Sequence, residues 1–443
     1  MSANLFGTDG IRSSAGRYPL DGPTLLRLGS VLGSLFSSPR VLIGHDTRES
    51  GPDIQAQLAR GLGRGARVFT AGVIPTPGLS FLTRSGGYDL GIMISASHNP
   101  FNDNGIKLFD HRGEKISTRL ERSISTKLAG EPRTRRGPAR PLPEADAGAY
   151  VDFMLREGRD LDGGAPEGLR RLAVDCANGA ASLFAPSLFA RLGTEAIIAH
   201  ASPDGRNINA GCGSTHPRVL QELVRHHRAS LGLALDGDAD RVIFSDAQGR
   251  ILTGDHALFL IARYLRESEP RFQGKVVGTV MANLGLEQAL RRLNIEFLRA
   301  DVGDRQVHRL MKRSGSILGG EPSGHIILRH RQTSGDGLLT ALFFMKALRH
   351  FSCDAAAVFE SLPLFPQETL NLRIRRRRDL KSWTAFQREA SRFAVAHGKR
   401  ARLLVRYSGT EPKIRIMIEA RDRETIESTM PIFQSLVEND IGE

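Results

Sequence analysis

Three aspartates at alternate positions, Asp236, Asp238 and Asp240, follow an apolar run in LGLALDGDADRV (Leu231–Val242). Carboxylates gathered so closely repel one another, and a cation relieves the repulsion. Hard oxygen ligands select Mg2+ or Ca2+, and Mg2+ typically shares a few carboxylates with a phosphate oxygen. The Ca2+ loop that also begins D-x-D-x-D requires glycine at its sixth position and glutamate at its twelfth. Here those positions hold Arg241 and Ala247. The competing reading is an acidic, solvated turn. The apolar strand leading into it favours the carboxyl edge of a sheet instead, where ligands bind in open α/β folds.

A metal shared with a phosphate raises the question of what carries the phosphate. In ISASHNPFNDNGIKLF (Ile94–Phe109) a buried-looking strand empties into Ser95, Ser97, His98, asparagines, Asp103 and Lys107. A serine nucleophile normally needs a base, and neither a GxSxG elbow nor a Ser-His-Asp order frames this one. His98 is adjacent, but neighbouring residues on extended backbone point apart, so it is not expected to serve. A serine that accepts and returns a phosphoryl group needs less: a metal, positive charge and correct placement. The aspartates supply the first, and Lys107 and Arg241 the second. A merely structural polar loop is the alternative.

Two more loops carry suitable groups. RYSGTEPKIR places Arg406, Ser408, the backbone of Gly409 and Thr410, and Arg415 around one glycine turn, which suits a phosphate. GGEPSGHIIL places Glu321, Ser323 and His325 at the mouth of a strand. A carboxylate with a hydroxyl suits sugar hydroxyls, and a histidine exchanges protons near neutrality. The bland readings are a hairpin with exposed charges and a satisfied structural histidine.

The elements that must hold these loops repeat one plan, an apolar run, a polar glycine-containing turn and a helix-like stretch. RVLIGHDTRESG, RLAVDCANGAASLFAPSLFARLG and KVVGTVMANLGLEQALRRL all follow it. Such alternation predicts βαβ units and an α/β chain. The tail differs: Ile414, Ile416 and Ile418 alternate with Lys413, Arg415 and Met417, as in a half-buried strand of a smaller α+β module. At 443 residues the chain exceeds one core, and roughly three domains are the prior from length. Boundaries are expected near Gly130–Pro143, Asp246–Thr253 and Leu362–Gln367.

Lys and Arg number 61 against 48 Asp and Glu, a formal charge of +13, which attracts anions of several classes. The basic runs at Pro132–Pro141 and Arg373–Arg378 lack interleaved aromatics and any nucleic-acid-binding signature. They read as solvated surface with some anion steering. Cys176, Cys212 and Cys353 are far apart without CxxC or Cys/His spacing, which indicates neither a zinc site nor a disulfide framework and fits a reducing cytosol. No signal core and no membrane-length apolar run is present, so a soluble, cytoplasmic chain is expected.

The motifs LFGTDGIR, GHDTRESG, ISASHNPFNDNGIKLF, DCANGAAS, NINAGCGSTHP, DGDADR, VMANLGLE, GGEPSGH, SGDGLLTAL and RYSGTEPKIRIMIE, in this order over nearly the whole length, resemble those of the α-D-phosphohexomutases. NINAGCGSTHP, VMANLGLE and SGDGLLTAL are similar to the branch of bacterial phosphoglucosamine mutases. The resemblance implies three α/β domains of related topology plus a C-terminal α+β domain around a central active-site cleft, with divisions at 1–150, 151–250, 251–365 and 366–443. It implies that Ser97 is a phosphoserine and that Asp236, Asp238 and Asp240 hold Mg2+ together with the Ser97 phosphate, beside Arg241. Lys107 and His325 match positions tied to proton transfer. Arg12, Glu321, Ser323, Arg406, Ser408, Gly409, Thr410 and Arg415 match substrate-binding positions.

The implied reaction is reversible conversion of glucosamine 6-phosphate to glucosamine 1-phosphate through a 1,6-bisphosphate, towards UDP-N-acetylglucosamine for cell-wall synthesis. A hexosamine or hexose 1,6-bisphosphate is the implied activating donor. Sugar phosphates are the expected partners, without nucleic acid or membrane, and a homodimer is a possible assembly. Two places depart from the family pattern: Ser13 and Ser14 follow GTDGIR where glycine is usual, and Pro322 stands where glutamine or methionine is. The competing readings are a phosphomannomutase or phosphoglucomutase of the same superfamily, a non-catalytic sugar-phosphate-binding protein, and a nucleic-acid binder.

Overall fold

The computed structural model describes residues 5–7, 9–130, 141–161, 171–408 and 412–442. Its chain divides into two compact units, Met1–Met281 with Leu293–Ser361, and Ala282–Arg292 with Leu362–Glu443.

In the first unit the continuous apolar runs become buried strands of three sheets. The first sheet contains β1 (Ile11–Ser14), β2 (Arg40–His45), β3 (Arg67–Val73), β4 (Leu90–Ile94) and β5 (Asp103–Asp110), in the order β1-β5-β4-β2-β3. The second contains β6 (Arg171–Asp175), β7 (Glu195–Ala199), β8 (Leu231–Leu235), β9 (Val242–Asp246) and β10 (Ile251–Leu252), in the order β10-β9-β8-β6-β7. The third contains β11 (Lys275–Thr279), β12 (Glu296–Ala300), β13 (Leu318–Gly320) and β14 (Ile326–Leu328), in the order β12-β11-β13-β14.

One scheme underlies all three. A central strand (β2, β6 or β11) lies parallel to a neighbour on each side. One of those neighbours (β4, β8 or β13) then folds back antiparallel into the next strand. The loop at that reversal is Ser95–Asn102 in the first sheet, Asp236–Arg241 in the second and Glu321–His325 in the third. The serine, aspartate and GGEPSGH motifs thus occupy one topological position in three related α/β layers.

Each loop is closed by a backbone bond across four residues: Asn99 N to Ala96 O at 3.2 Å, Ala239 N to Asp236 O at 2.9 Å and Gly324 N to Glu321 O at 3.0 Å. Pro322 stands second in the last of these turns, where its fixed φ is favourable and no N–H is needed. The departures at Ser13 and Ser14 are equally benign. Both continue β1 against Asn104 and Asp103 of β5. At Gly324, φ is +91° and a Cβ would lie 2.0 Å from Val242 O, so only glycine lets the Glu321–His325 loop press on the end of the aspartate loop.

The core beside the first sheet gathers Leu25, Leu28, Leu32, Ile43, Leu58 and Ile92, all at most 1 % exposed. It is covered by helices Gly22–Ser34 and Gly51–Leu62, which approach through Gly29 and Gly61. The expected boundary at Asp246–Thr253 turns out to contain a hairpin turn, because β10 pairs antiparallel with β9. Most of Gly130–Pro143, and with it nearly all of the basic run Pro132–Pro141, lies outside the described residues.

The second unit has one antiparallel sheet, β15 (Gln367–Arg373), β16 (Ala401–Tyr407) and β17 (Lys413–Ala420), in the order β15-β17-β16. Its core centres on Trp383, Phe386, Phe433, Ile414, Ile416 and Ile418. The expected alternation ends at Ile416, after which Met417 and Glu419 are buried too. Glu419 Oε1 accepts from Leu284 N at 2.8 Å, so helix Leu284–Arg292, which follows β11 in sequence, belongs to this unit. The run Arg373–Arg378 is more than solvated charge. Arg377 Nη2 donates to Ser408 O at 2.6 Å and Arg378 Nη1 to Asp440 Oδ2 at 2.7 Å. Among the described residues no helix is long and apolar enough to cross a membrane.

Candidate active site

β8 delivers Asp236, Asp238 and Asp240 together: each offers a carboxylate oxygen within 4.8 Å of the others, and all three are buried. Ser97 Oγ donates to Asp236 Oδ2 at 2.6 Å across 139 residues of sequence. The serine loop is therefore docked on the aspartate loop.

Ser97 is fully buried and adopts φ +55°. This is the left-handed region, uncommon for a residue with a side chain. The conformation corrects the sequence reading of His98. On extended backbone the two side chains would diverge, but the left-handed turn brings Ser97 Oγ to 3.3 Å from His98 Nδ1. Arg241 Nη1 lies 3.2 Å from the same nitrogen. Burial, then Arg241 and Arg12, depress the His98 pKa, which keeps the ring neutral.

The turn is held by residues to which sequence reasoning gave no role. Arg48, 1 % exposed, donates from Nη2 to Ser97 O at 3.0 Å and Asn99 O at 2.8 Å, and from Nη1 to Asp103 O at 2.8 Å and to Pro100 O. Asp46 anchors Arg48 Nε at 2.9 Å and accepts from Ser95 Oγ at 2.6 Å, while Ser95 Oγ accepts from Ser97 N at 2.9 Å. Asn209 Nδ2 donates to Ser97 O at 2.9 Å. The polar run HDTRES after β2 was the available signal. Arg48→Ala should cost about 3–5 kcal/mol, because it leaves a buried carboxylate and several carbonyls unpaired. Urea denaturation against the parent chain measures this.

Charge around the aspartates is ordered as a closed ring. Lys107 Nζ lies 2.8 Å from Asp238 Oδ2, 3.3 Å from Asp240 Oδ2 and 3.1 Å from Asp9 Oδ2. Lys115 bridges Asp9 and Asp304. His325 closes the ring, with Nε2 3.7 Å from Asp304 Oδ2 and Nδ1 3.5 Å from Asp240 Oδ1. Positive and negative groups alternate throughout. Asp304 opens helix Asp304–Ser314, Asp9 and Lys115 lie outside the helices, and of the three only Asp9 falls within a motif, LFGTDGIR.

Burial alone would discharge Lys107, but Asp238, Asp9 and Asp240 hold its pKa well above the ordinary range. Burial opposes the Asp240 charge in the same way, and Lys107 and His325 overcome it, so its carboxyl titrates well below the usual range. His325 is moved upward, Asp240 and Asp304 outweighing burial. For Asp236 the opposing charge of Arg241 is outweighed: burial, then the charges of Asp240 and Asp238, push it to about 8.

Above this cluster lies a cavity of about 510 Å³ lined by Arg12, Asp240, Arg241, Glu321 and His325, with Val302 among the apolar residues of its wall. Arg12 reaches the serine loop, Nη1 lying 3.3 Å from Asn99 Oδ1, and pairs with Asp9 at 2.8 Å. Glu321 Oε1 accepts from Gly303 N at 2.9 Å. Ser323 is exposed and is not among the lining residues. The structure thus brings together Ser97, Lys107, the aspartates, Arg241, His325, Glu321 and Arg12.

In the second unit Arg406 of β16 stands directly opposite Arg415 of β17. Burial, then Arg415, lowers the Arg406 pKa. Like charges across a strand pair are unfavourable, and an anion between them reverses the sign. Ser408 N closes the turn on Lys413 O at 2.8 Å. Gly409 and Thr410 lie outside the described residues.

A cation fits the aspartate cluster. Asp238 Oδ1 is buried and accepts no hydrogen bond, and Asp240 Oδ1 has only ionic contacts, to His325 and to Arg241 Nε at 3.7 Å. Every donor in the set is oxygen, which selects a hard divalent ion.

The chain matches the phosphoglucomutase/phosphomannomutase family in four stretches: α/β/α domain I at residues 3–134, domain II at 149–249, domain III at 253–363 and the C-terminal domain at 370–433. Phosphoglucosamine mutase of Solibacter usitatus is 41% identical, with 100% of both chains covered. That of a Thermus thermophilus strain is 45% identical over 94% of each. Among solved structures, a phosphoglucomutase/phosphomannomutase family protein from Burkholderia thailandensis covers 100% of both chains with a TM-score of 0.81 at 23% identity. Aspergillus fumigatus N-acetylphosphoglucosamine mutase in complex with GlcNAc-6P and magnesium covers 98% of this chain and 95% of its own, with a TM-score of 0.69 at 17% identity. These two are likenesses of fold. The full-length identities and the four matched stretches carry the conclusion that the chain belongs to the phosphoglucomutase/phosphomannomutase family of phosphohexomutases and stands among its bacterial phosphoglucosamine mutases.

Proposed function

We propose that the chain interconverts glucosamine 6-phosphate and glucosamine 1-phosphate in the cytoplasm, with Ser97 as the phosphoryl carrier. The observation that carries this reading is the 2.6 Å contact between Ser97 Oγ and Asp236 inside a three-carboxylate cluster. Asp236, Asp238 and Asp240 would hold Mg2+, which when bound neutralises phosphoryl oxygens. Domain divisions at 1–150, 151–250, 251–365 and 366–443 belong to the same reading.

Arg48 and Asn209 fix the carbonyl of Ser97, so its oxygen is placed before substrate arrives. Positioning of this kind is most of what phosphoryl transfer requires. Phospho-Ser97 donates to O1 of the 6-phosphate, and a 1,6-bisphosphate forms. After the bisphosphate turns around, the serine recovers the other phosphoryl group. A hexose 1,6-bisphosphate primes an unphosphorylated chain. Glu321 and Ser323 contact sugar hydroxyls, while Arg406, Ser408, Gly409, Thr410 and Arg415 hold the non-reacting phosphate. Lys107, locked in its charged form, is a fixed positive charge. His325 is the group at the cavity that exchanges a proton with the sugar.

Turnover on glucosamine, glucose and mannose 6-phosphates, compared side by side, tests the reading. The glucosamine ester should be the best substrate, and intact mass should show one phosphoryl group after incubation with hexose bisphosphate and Mg2+. Preference for glucose or mannose would replace the sugar assignment. Absence of both turnover and phosphoryl uptake would favour a sugar-phosphate-binding protein.

The pH dependence of Mg2+ binding tests the cation. With the Asp236 carboxyl at about 8, the cation-free site carries a proton at neutrality that Mg2+ must displace. Affinity should therefore rise roughly tenfold per pH unit from about 6 and level off above about 8. In Asp236→Asn this slope should vanish, as read by Mg2+ titration of the melting temperature.

A further inference from the structure

The wide spacing of the cysteines argued against a zinc site, but the fold removes the spacing. Asp175 ends β6, His200 follows β7, and Cys212 lies in the loop that returns over both strands. Each offers one ligand atom, and the three atoms lie within 4.8 Å of one another. Asp175 and Cys212 are fully buried, while the His200 side chain is 34% exposed and opens the group to solvent.

His200 Nδ1 lies 3.1 Å from Asp175 Oδ1, a contact that raises the His200 pKa. Asp175 is itself oriented, Oδ1 accepting from Ala177 N and Oδ2 from Gly213 N, both at 2.8 Å. Backbone donors behind a ligating carboxylate are the usual support of a metal site. Burial, then Asp175, pushes the Cys212 thiol to about 12, so without a cation it is neither nucleophile nor redox sensor.

We propose that Asp175, His200 and Cys212 form a binding site for a zinc-class divalent cation, separate from the all-oxygen cluster at Asp236, Asp238 and Asp240. The mixed oxygen, nitrogen and sulfur donors select a softer ion than Mg2+, and three protein ligands leave a fourth position to water. Binding replaces the Cys212 S–H proton by the metal and releases that proton to solvent.

The site has a structural consequence. Its loop also contributes Asn209, whose side chain holds Ser97 O, and Ser214, whose N–H bonds Leu235 O at 2.8 Å immediately before the aspartates. A cation here staples the strand edge to the loop that supports both the serine and the aspartate turns. This inference does not rest on the proposed phosphoryl transfer.

The test uses the reduced, full-length chain stripped with a chelator, then titrated with Zn2+ against a chromophoric competitor and with Cd2+ in the ultraviolet. One equivalent of Zn2+ should bind with release of the Cys212 proton and of any proton His200 carries, and Cd2+ should give a thiolate charge-transfer band. His200→Gln should weaken Zn2+ by at least about tenfold, and Cys212→Ser should abolish the band. Asp238→Asn, Cys176→Ser and Cys353→Ser should keep both. Should Cys212→Ser fail to fold, displacement of the Cd2+ band by one equivalent of Zn2+ in the unmodified chain, together with its weakening in His200→Gln, gives the same answer. No stoichiometric Zn2+, a Cd2+ band that survives Cys212→Ser, or a Cd2+ band indifferent to both Zn2+ and His200→Gln overturns the site.

Discussion

Ser97→Ala should reduce turnover on all three hexose 6-phosphates by roughly four orders of magnitude or more, and intact mass should show no phosphoryl group after incubation with hexose bisphosphate and Mg2+. The argument is chemical before it is structural. A phosphoryl carrier must present an oxygen that both accepts and releases the group, and alanine has none. Among the described residues Thr76 Oγ1 also meets the cluster, but it is buried and committed to Asp238 Oδ2. Ser95 Oγ is committed between Asp46 Oδ2 and Ser97 N, on the far side of the turn from the aspartates. The variant should stay folded, because Arg48 and Asn209 grip the carbonyl of residue 97 rather than its side chain. Loss of activity with an unchanged denaturation midpoint is therefore the expected pair of results. Substantial turnover by Ser97→Ala would remove the nucleophile assignment.

The two halves of this site were unequally legible in the sequence. The aspartates announce themselves because strand and ligands are contiguous: five apolar residues of β8 followed by carboxylates at alternate positions. Ser97 could be singled out only with its neighbours in view, since a polar loop after an apolar strand is commonplace. Its relation to His98 was misread for a definite reason. The inference assumed extended backbone, whereas Ser97 sits at φ +55°, a conformation imposed by Arg48, Asp46 and Asn209 from elsewhere in the chain. Lys115 and Asp304 had no local signature, and Asp9, though inside LFGTDGIR, had nothing to mark it as a member of the ring. Their meaning lies in ion pairs such as Lys115–Asp304, 189 residues apart, and long-range pairing is decided by topology.

The shared position of the three reversal loops was hidden for a related reason. β13 and β14 are only three residues each, too short to show periodicity. The same topology brings Cys212 close to Asp175 and His200, which are far from it in sequence.

Lys107→Met tests whether the ring of charges is a device of stability as well as chemistry. Lys107 is 1 % exposed and touches Asp9, Asp238 and Asp240. Methionine keeps most of the stem volume and removes only the charge, leaving three carboxylates facing one another in a buried site. Breaking a buried pair from one side costs about 3–5 kcal/mol, and that deficit is expected near pH 8. The direction with pH follows from linkage. Raised above its unfolded value, the lysine contributes fully below the ordinary amine range of about 10.4 and loses this only as pH rises through its folded pKa. Asp9 and Asp240, depressed in the fold, contribute above the ordinary carboxylate range of about 4 and lose this as pH falls through their lowered values. The native ring is therefore intact across neutrality. In the variant the carboxylates lose the cation that lowered them, so their pKa values rise, and acid should relieve the repulsion. The deficit should shrink towards pH 5 and should also shrink in saturating Mg2+, which supplies positive charge to the same oxygens. Turnover should fall by roughly 10²–10³-fold, the usual scale for removing one preorganised charge from a transition state. Urea denaturation at pH 5 and pH 8, with and without Mg2+, separates this account from lost packing: a deficit indifferent to both pH and metal would show that the stem of Lys107, rather than its charge, holds the three loops together.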